Sequence, residues 1–112
     1  MSQTACYYSK TDLPLRPVVP GASMWAVGLE QAMLTYFEIG PNSRFEMHHH
    51  ESEQITLVLE GTLHFEVDDR VIAVKAGETI ALPSNVPHAA YTLDDAVKAV
   101  DAWSPVRKEY LT

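Results

Sequence analysis

From residue 24 onward, apolar and polar side chains alternate in short runs instead of recurring at helical spacing. The runs at 24–29, 32–39, 44–50, 54–59, 62–67, 71–74, 79–82, 88–92 and 96–103 are mostly rich in Val, Ile, Leu, Thr and aromatics. Such residues suit a pleated, half-buried surface. Turn formers separate many of these runs: Gly40-Pro41-Asn42, Glu60-Gly61, Asp68-Asp69, Ala76-Gly77, Pro83-Ser84-Asn85 and Leu93-Asp94-Asp95. No window of helical length carries a sustained apolar stripe, so helix is confined to a turn near either terminus. An all-β domain is predicted, a sandwich or barrel of antiparallel strands that hides its edges. The segment 13–20, LPLRPVVP, holds three prolines, which forbid a helix and suit an extended arm or an edge strand. The expected division is an extended N-terminal arm over 1–22 and a single barrel domain over 23–112.

Composition narrows the partners. A chain of 112 residues supports one core. Eight basic against fifteen acidic residues give a formal charge of −7, which repels nucleic-acid phosphates and anionic lipid at long range. Nucleic acid and membrane are therefore set aside as partners. The first ten residues lack a secretory apolar region, and the apolar stretches, such as 24–27 and 71–74, are too short to span a bilayer. A cytoplasmic protein is the expectation. Cys6 has no second cysteine to pair with and reads as an ordinary thiol.

Three of the five histidines are consecutive. In a strand, His48 and His50 project to one face and His49 to the other, so two imidazoles can grip one ion. Gln54 opens the next strand, sharing a face with Thr56 and Val58, and its amide oxygen is a candidate third ligand. His88, preceded by Pro83, Asn85 and Pro87, is the fourth. A metal-free, histidine-rich exposed turn is the alternative for 48–50, and His64 reads as a surface or cross-strand residue.

On these residues the sequence resembles the cupins. Their first motif runs Gly, five residues, His-x-His, three or four residues, Glu or Gln, six residues, Gly. His48, His50, Gln54 and Gly61 reproduce it, with Asn42 where the first glycine belongs. The second motif runs Gly, five residues, Pro-x-Gly, two residues, His, and Gly77, Pro83 and His88 keep its spacing with Asn85 replacing the second glycine. Asn is the non-glycine residue that most easily adopts a left-handed backbone, so both departures preserve the turn. Thr92 stands where the family carries Asn. The resemblance implies a double-stranded β-helix, or jelly roll, with His48, His50, Gln54 and His88 gathered on one divalent transition metal: Fe, Mn, Ni, Co or Zn.

The tail Asp101-Ala102-Trp103-Ser104-Pro105-Val106-Arg107 adds a second pattern. Alternation points Asp101 and Trp103 the same way. Core packing is the plain alternative for Trp103, and a surface cation or a brace for Asp101 the alternative for Arg107. The pattern is similar to that of small uronate-linearising (KdgF-type) cupins of pectin and alginate breakdown, with Trp where Phe is more usual. That likeness implies Asp101, Trp103 and Arg107 as catalytic residues, and a small anionic sugar acid as substrate. The expected activity opens a cyclic 4,5-unsaturated monouronate to its keto form, with Asp101 moving a proton. An oxygen-dependent cupin dioxygenase and a non-catalytic small-molecule binder are the competing readings. Small cupins often form dimers, so the likeness also implies a homodimer, with the arm pairing along a sheet edge of a second copy.

Overall fold

A computed structural model describes residues 4–111. Ten strands run β1 (Arg16–Val19), β2 (Ala22–Gly28), β3 (Met33–Ile39), β4 (Arg44–His48), β5 (Glu53–Glu60), β6 (Thr62–Val67), β7 (Arg70–Lys75), β8 (Thr79–Leu82), β9 (His88–Tyr91) and β10 (Val97–Ser104). The only helical elements among the described residues are single 3₁₀ turns at Lys10–Asp12 and Lys108–Tyr110. The strands form two antiparallel sheets, β1-β2-β3-β10-β5-β8 and β4-β9-β6-β7. This is the jelly roll that the sequence implied. The proline-bearing segment supplies β1, an edge strand on β2 of its own sheet.

Alternation explains what lies between the sheets. Met24, Met33, Phe37, Val58, Val97 and Ala99 of the larger sheet meet Leu63, Phe65, Val67 and Val74 of the smaller, all buried. Burying each large apolar side chain contributes roughly 1.5–3 kcal/mol. The outward positions of the larger sheet are also apolar in one registered row: Val27, Leu34, Ala102, Ile55 and Ala81 lie side by side across five strands.

Two local features set the site. Phe45 pairs with Ala90 and His48 with His88, three residues on β4 against two on β9. This bulge absorbs one extra residue, so Glu46 and Met47 are both exposed while Phe45 and His48 both line the interior. The two asparagines at glycine positions are both left-handed, Asn42 at φ 54° and Asn85 at φ 62°. The Asn85 N–H donates to the His50 carbonyl (2.8 Å), tying the loop before His88 to the histidine segment. Thr92 fastens the other turn, donating to Gly40 O (2.6 Å) and accepting from Ser43 N–H (3.0 Å).

Candidate metal centre

β4, the loop before β5 and the start of β9 bring His48, His50 and His88 together, with one ligand atom from each within 4.8 Å of the others. Each ring is locked by the main chain two residues away. The Nδ1–H groups donate to carbonyls: His48 to Glu46 (2.7 Å), His50 to Ser52 (2.8 Å) and His88 to Val86 (2.9 Å). Because a carbonyl can only accept, Nδ1 carries the proton and Nε2 keeps a free lone pair. Burial foremost, followed among the lowering influences by the neighbouring imidazoles and Arg107, pushes His88 down to about 4. Burial likewise lowers His50, with Arg107 and His48 adding to it. Both rings therefore stay neutral at physiological pH.

Gln54 completes the cluster. Its Oε1 lies 3.2 Å from His50 Nε2. In the tautomer fixed by Ser52 both atoms are acceptors, so the contact is unfavourable until a cation lies between them. Three imidazole nitrogens and an amide oxygen converging on one space thus fit a divalent transition ion. His49 is exposed and takes no part, and His64 stacks on Tyr91 across β6 and β9.

The larger sheet builds the facing wall. Asp101 on β10 lies in register between Thr35 on β3 and Thr56 on β5, and all three point inward. Thr56 donates to one carboxyl oxygen of Asp101 and Thr35 to the other (3.3 Å). Burial drives the Asp101 pKa up to about 6, against the downward pull of Thr56, Thr35, Gln54 and Arg107. Trp103, only 4% exposed, donates from Nε1 to Thr35 Oγ1 (2.8 Å) and sets its ring edge-on to His50. Packing and pocket wall are here one role.

Arg107 is not a brace on Asp101. Its guanidinium lies 4.5 Å from the Tyr110 ring centroid and 5.4 Å from that of Trp103, donates to the Tyr110 hydroxyl (3.1 Å) and pairs with Glu109 (3.4 Å). Ser52 Oγ donates to Pro105 O (2.6 Å), and Arg16 donates to Tyr110 O, which together fasten the tail over the pocket. His48, Gln54, His88, Asp101, Trp103, Arg107 and Tyr110 line one pocket. Sequence reading missed Tyr110 in the lining and the two threonines that hold Asp101 from behind it. Tyr110 follows no strand pattern, and Thr35 and Thr56 look like ordinary strand residues until the register sets them beside Asp101.

Residues 35–102 match the Cupin_2 (cupin domain) family. The chain is a cupin. Among solved structures this cupin is similar to KdgF from Halomonas sp., with a TM-score of 0.86 at 21% identity, covering 95% of this chain and 98% of that one. At that identity the likeness shows the fold alone. Among curated proteins it is 35% identical over 100 residues to acireductone dioxygenase 1 of Sorghum bicolor, covering 70% of this chain and 55% of that protein. It is 39% identical over 54 residues to 3-hydroxyanthranilate 3,4-dioxygenase of Xanthomonas euvesicatoria pv. vesicatoria (strain 85-10), covering 45% of this chain and 31% of that protein. The cupin thus spans about half or less of the length of these two curated relatives.

Proposed function

We propose that the protein is a metal-dependent enzyme that converts a 4,5-unsaturated monouronate from its cyclic enol-ether form to the open-chain keto form. The observation that carries this reading is a histidine cluster at the wall of one pocket that also holds a buried carboxyl with its pKa raised to about 6 and an aromatic-backed arginine. The Asp101-Trp103-Arg107 pattern of the uronate-linearising cupins supports the choice of substrate. A divalent ion held by His48, His50, Gln54 and His88 would supply Lewis-acid polarisation of a substrate oxygen.

The chain's own residues do the rest. Three imidazoles and an amide bring no negative charge, which leaves the pocket attractive to an anion. Arg107, stacked on Tyr110 and Trp103, binds the substrate carboxylate through parallel hydrogen bonds. Trp103 gives the sugar a flat apolar wall. Ring opening releases a proton from the hydroxyl on the ring-closing carbon, and the enol carbon gains one as it becomes saturated. Asp101 carries that proton, its pKa near 6 allowing it to accept and return it close to neutral pH. The change is an isomerisation and consumes no oxidant.

The test supplies lyase-generated unsaturated monouronate to metal-loaded protein and follows loss of the ultraviolet absorbance of the conjugated double bond. Wild type should exceed the spontaneous rate. Asp101→Ala at saturating metal should lower turnover by about 10²-fold or more, and near-native turnover would remove the proton-transfer role. A second reading, an oxygen-dependent dioxygenase, is favoured by the names of both curated relatives. Stoichiometric oxygen uptake would support it, and undiminished turnover under anaerobic conditions would exclude it.

A further inference from the structure

Thr56 is buried, with 1% of its surface exposed, and lies between the metal-ligand set and the proposed proton carrier. Gln54 Nε2–H donates to Thr56 Oγ1 (2.9 Å), and Thr56 donates its hydroxyl proton to Asp101. A hydroxyl has one proton to give. Once Asp101 takes it, Thr56 can only accept from Gln54, so the NH₂ end of the amide faces Thr56, the same end that the nearby Asp101 carboxylate also draws toward itself. The carbonyl end then faces His50 Nε2, at 3.2 Å.

We propose that Thr56 is a positioning residue that fixes which end of the Gln54 amide meets the ion, using Asp101 as the anchor for its own proton. This rests on the metal centre of the preceding section and not on the identity of the substrate. An amide is nearly symmetric in shape, so packing alone does not choose its orientation. The reversed amide would aim two N–H groups at a cation and leave three imidazole ligands instead of four donors. Thr35 is the built-in comparison. It also donates to Asp101, but its other partner is the Trp103 indole and not Gln54.

The experiment titrates the metal-free protein with Co(II) and reads both affinity and the visible ligand-field bands, with no substrate present. Thr56→Val should weaken Co(II) binding about 10- to 100-fold and alter the bands. Thr56→Ser, which keeps the hydroxyl, should restore both, and Thr35→Val should leave both near wild type. Gln54→Ala should weaken binding like Thr56→Val, and adding Thr56→Val to Gln54→Ala should cost little more, because the two act through one ligand.

Wild-type affinity and bands in Thr56→Val would overturn the proposal. So would an equal loss in Thr35→Val, which would mark a general packing effect. If Thr56→Val does not fold, Thr56→Ala is read against Gln54→Ala in the same way. A wild type that takes up no Co(II) would remove both this inference and the metal centre. The full Co(II) pattern with no turnover of monouronates would count against the substrate alone.

Discussion

Burial moves Asp101 and His88 in opposite directions, from ordinary values of 3.8 and 6.5 to about 6 and about 4. Asp101 is raised, so its contribution to stability is present below pH 3.8 and lost as pH rises through about 6. His88 is lowered, so its contribution is present above pH 6.5 and lost as pH falls through about 4. Between pH 4 and 6 the two trends oppose each other. Asp101→Asn in metal-free protein removes one of them, and its Tm should climb relative to wild type by several degrees across that window. A constant gap between the two melting curves would show that the Asp101 carboxyl is not held above its ordinary range. The residue scale is also where sequence reading was most direct. The resemblance to the cupin motifs marks Asn42 and Asn85 as standing in for glycines, and their φ values near 60° follow from a property of asparagine itself. Thr35 and Thr56 were not legible, since what distinguishes them is register with Asp101 and not residue type.

Among the elements, β4 shows where periodicity misleads. Phe45 and His48 are three apart, and strict alternation places them on opposite faces of a strand, yet both line the pocket because the bulge absorbs a residue. Deleting Met47 should therefore be tolerated. It restores plain alternation with Phe45 and His48 still inward, so folding should be retained, while loss of the Glu46 carbonyl two residues before His48 should lower metal affinity about 10- to 100-fold without abolishing it. Deleting Leu57 from β5, a strand central to its sheet, moves Gln54 and Thr56 to the other face relative to Val58 and should abolish metal binding and soluble folding. Equal damage from the two deletions, read by metal titration and circular dichroism, would contradict the bulge account. The β6–β7 hairpin was more readable. Asp68 and Asp69 both take positive φ, 53° and 59°, as a two-residue turn of primed type requires.

For the molecule as a whole, a ligand set drawn from β4, β5 and β9 makes an ion a cross-link between the two sheets. Any ion that binds only the folded state stabilises it by mass action, about 2.7 kcal/mol at a hundred times its Kd. Adding Co(II) or Zn(II) to chelator-stripped protein should raise Tm, and the rise should shrink as acid protonates the imidazoles. A Tm indifferent to metal would sink that linkage. The homodimer remains a proposal for which the registered outward row of Val27, Leu34, Ala102, Ile55 and Ala81 offers a second contact surface beside the β1 edge. Light scattering should give twice the chain mass, and a monomer at working concentration would remove it. The all-β architecture was legible because turn residues and alternation are local signals, while the jelly roll and the gathering of the four proposed ligands came from the resemblance to the two cupin motifs. Tyr110, the bulge and the threonine pair were not, because each acquires its role only when distant segments meet.

Glu46, Ser52 and Val86 hold the imidazoles through backbone oxygen, so the side chains of Glu46 and Val86 can vary without disturbing that hold, while Ser52 keeps a second task through its hydroxyl on Pro105. The opposite wall, made of Asp101, Trp103 and Arg107, belongs to a different sheet and the tail that follows it. Selection, or a protein engineer, can thus change Glu46 and Val86 at little cost to the three rings, whereas a change at Asp101 reaches Gln54 through Thr56.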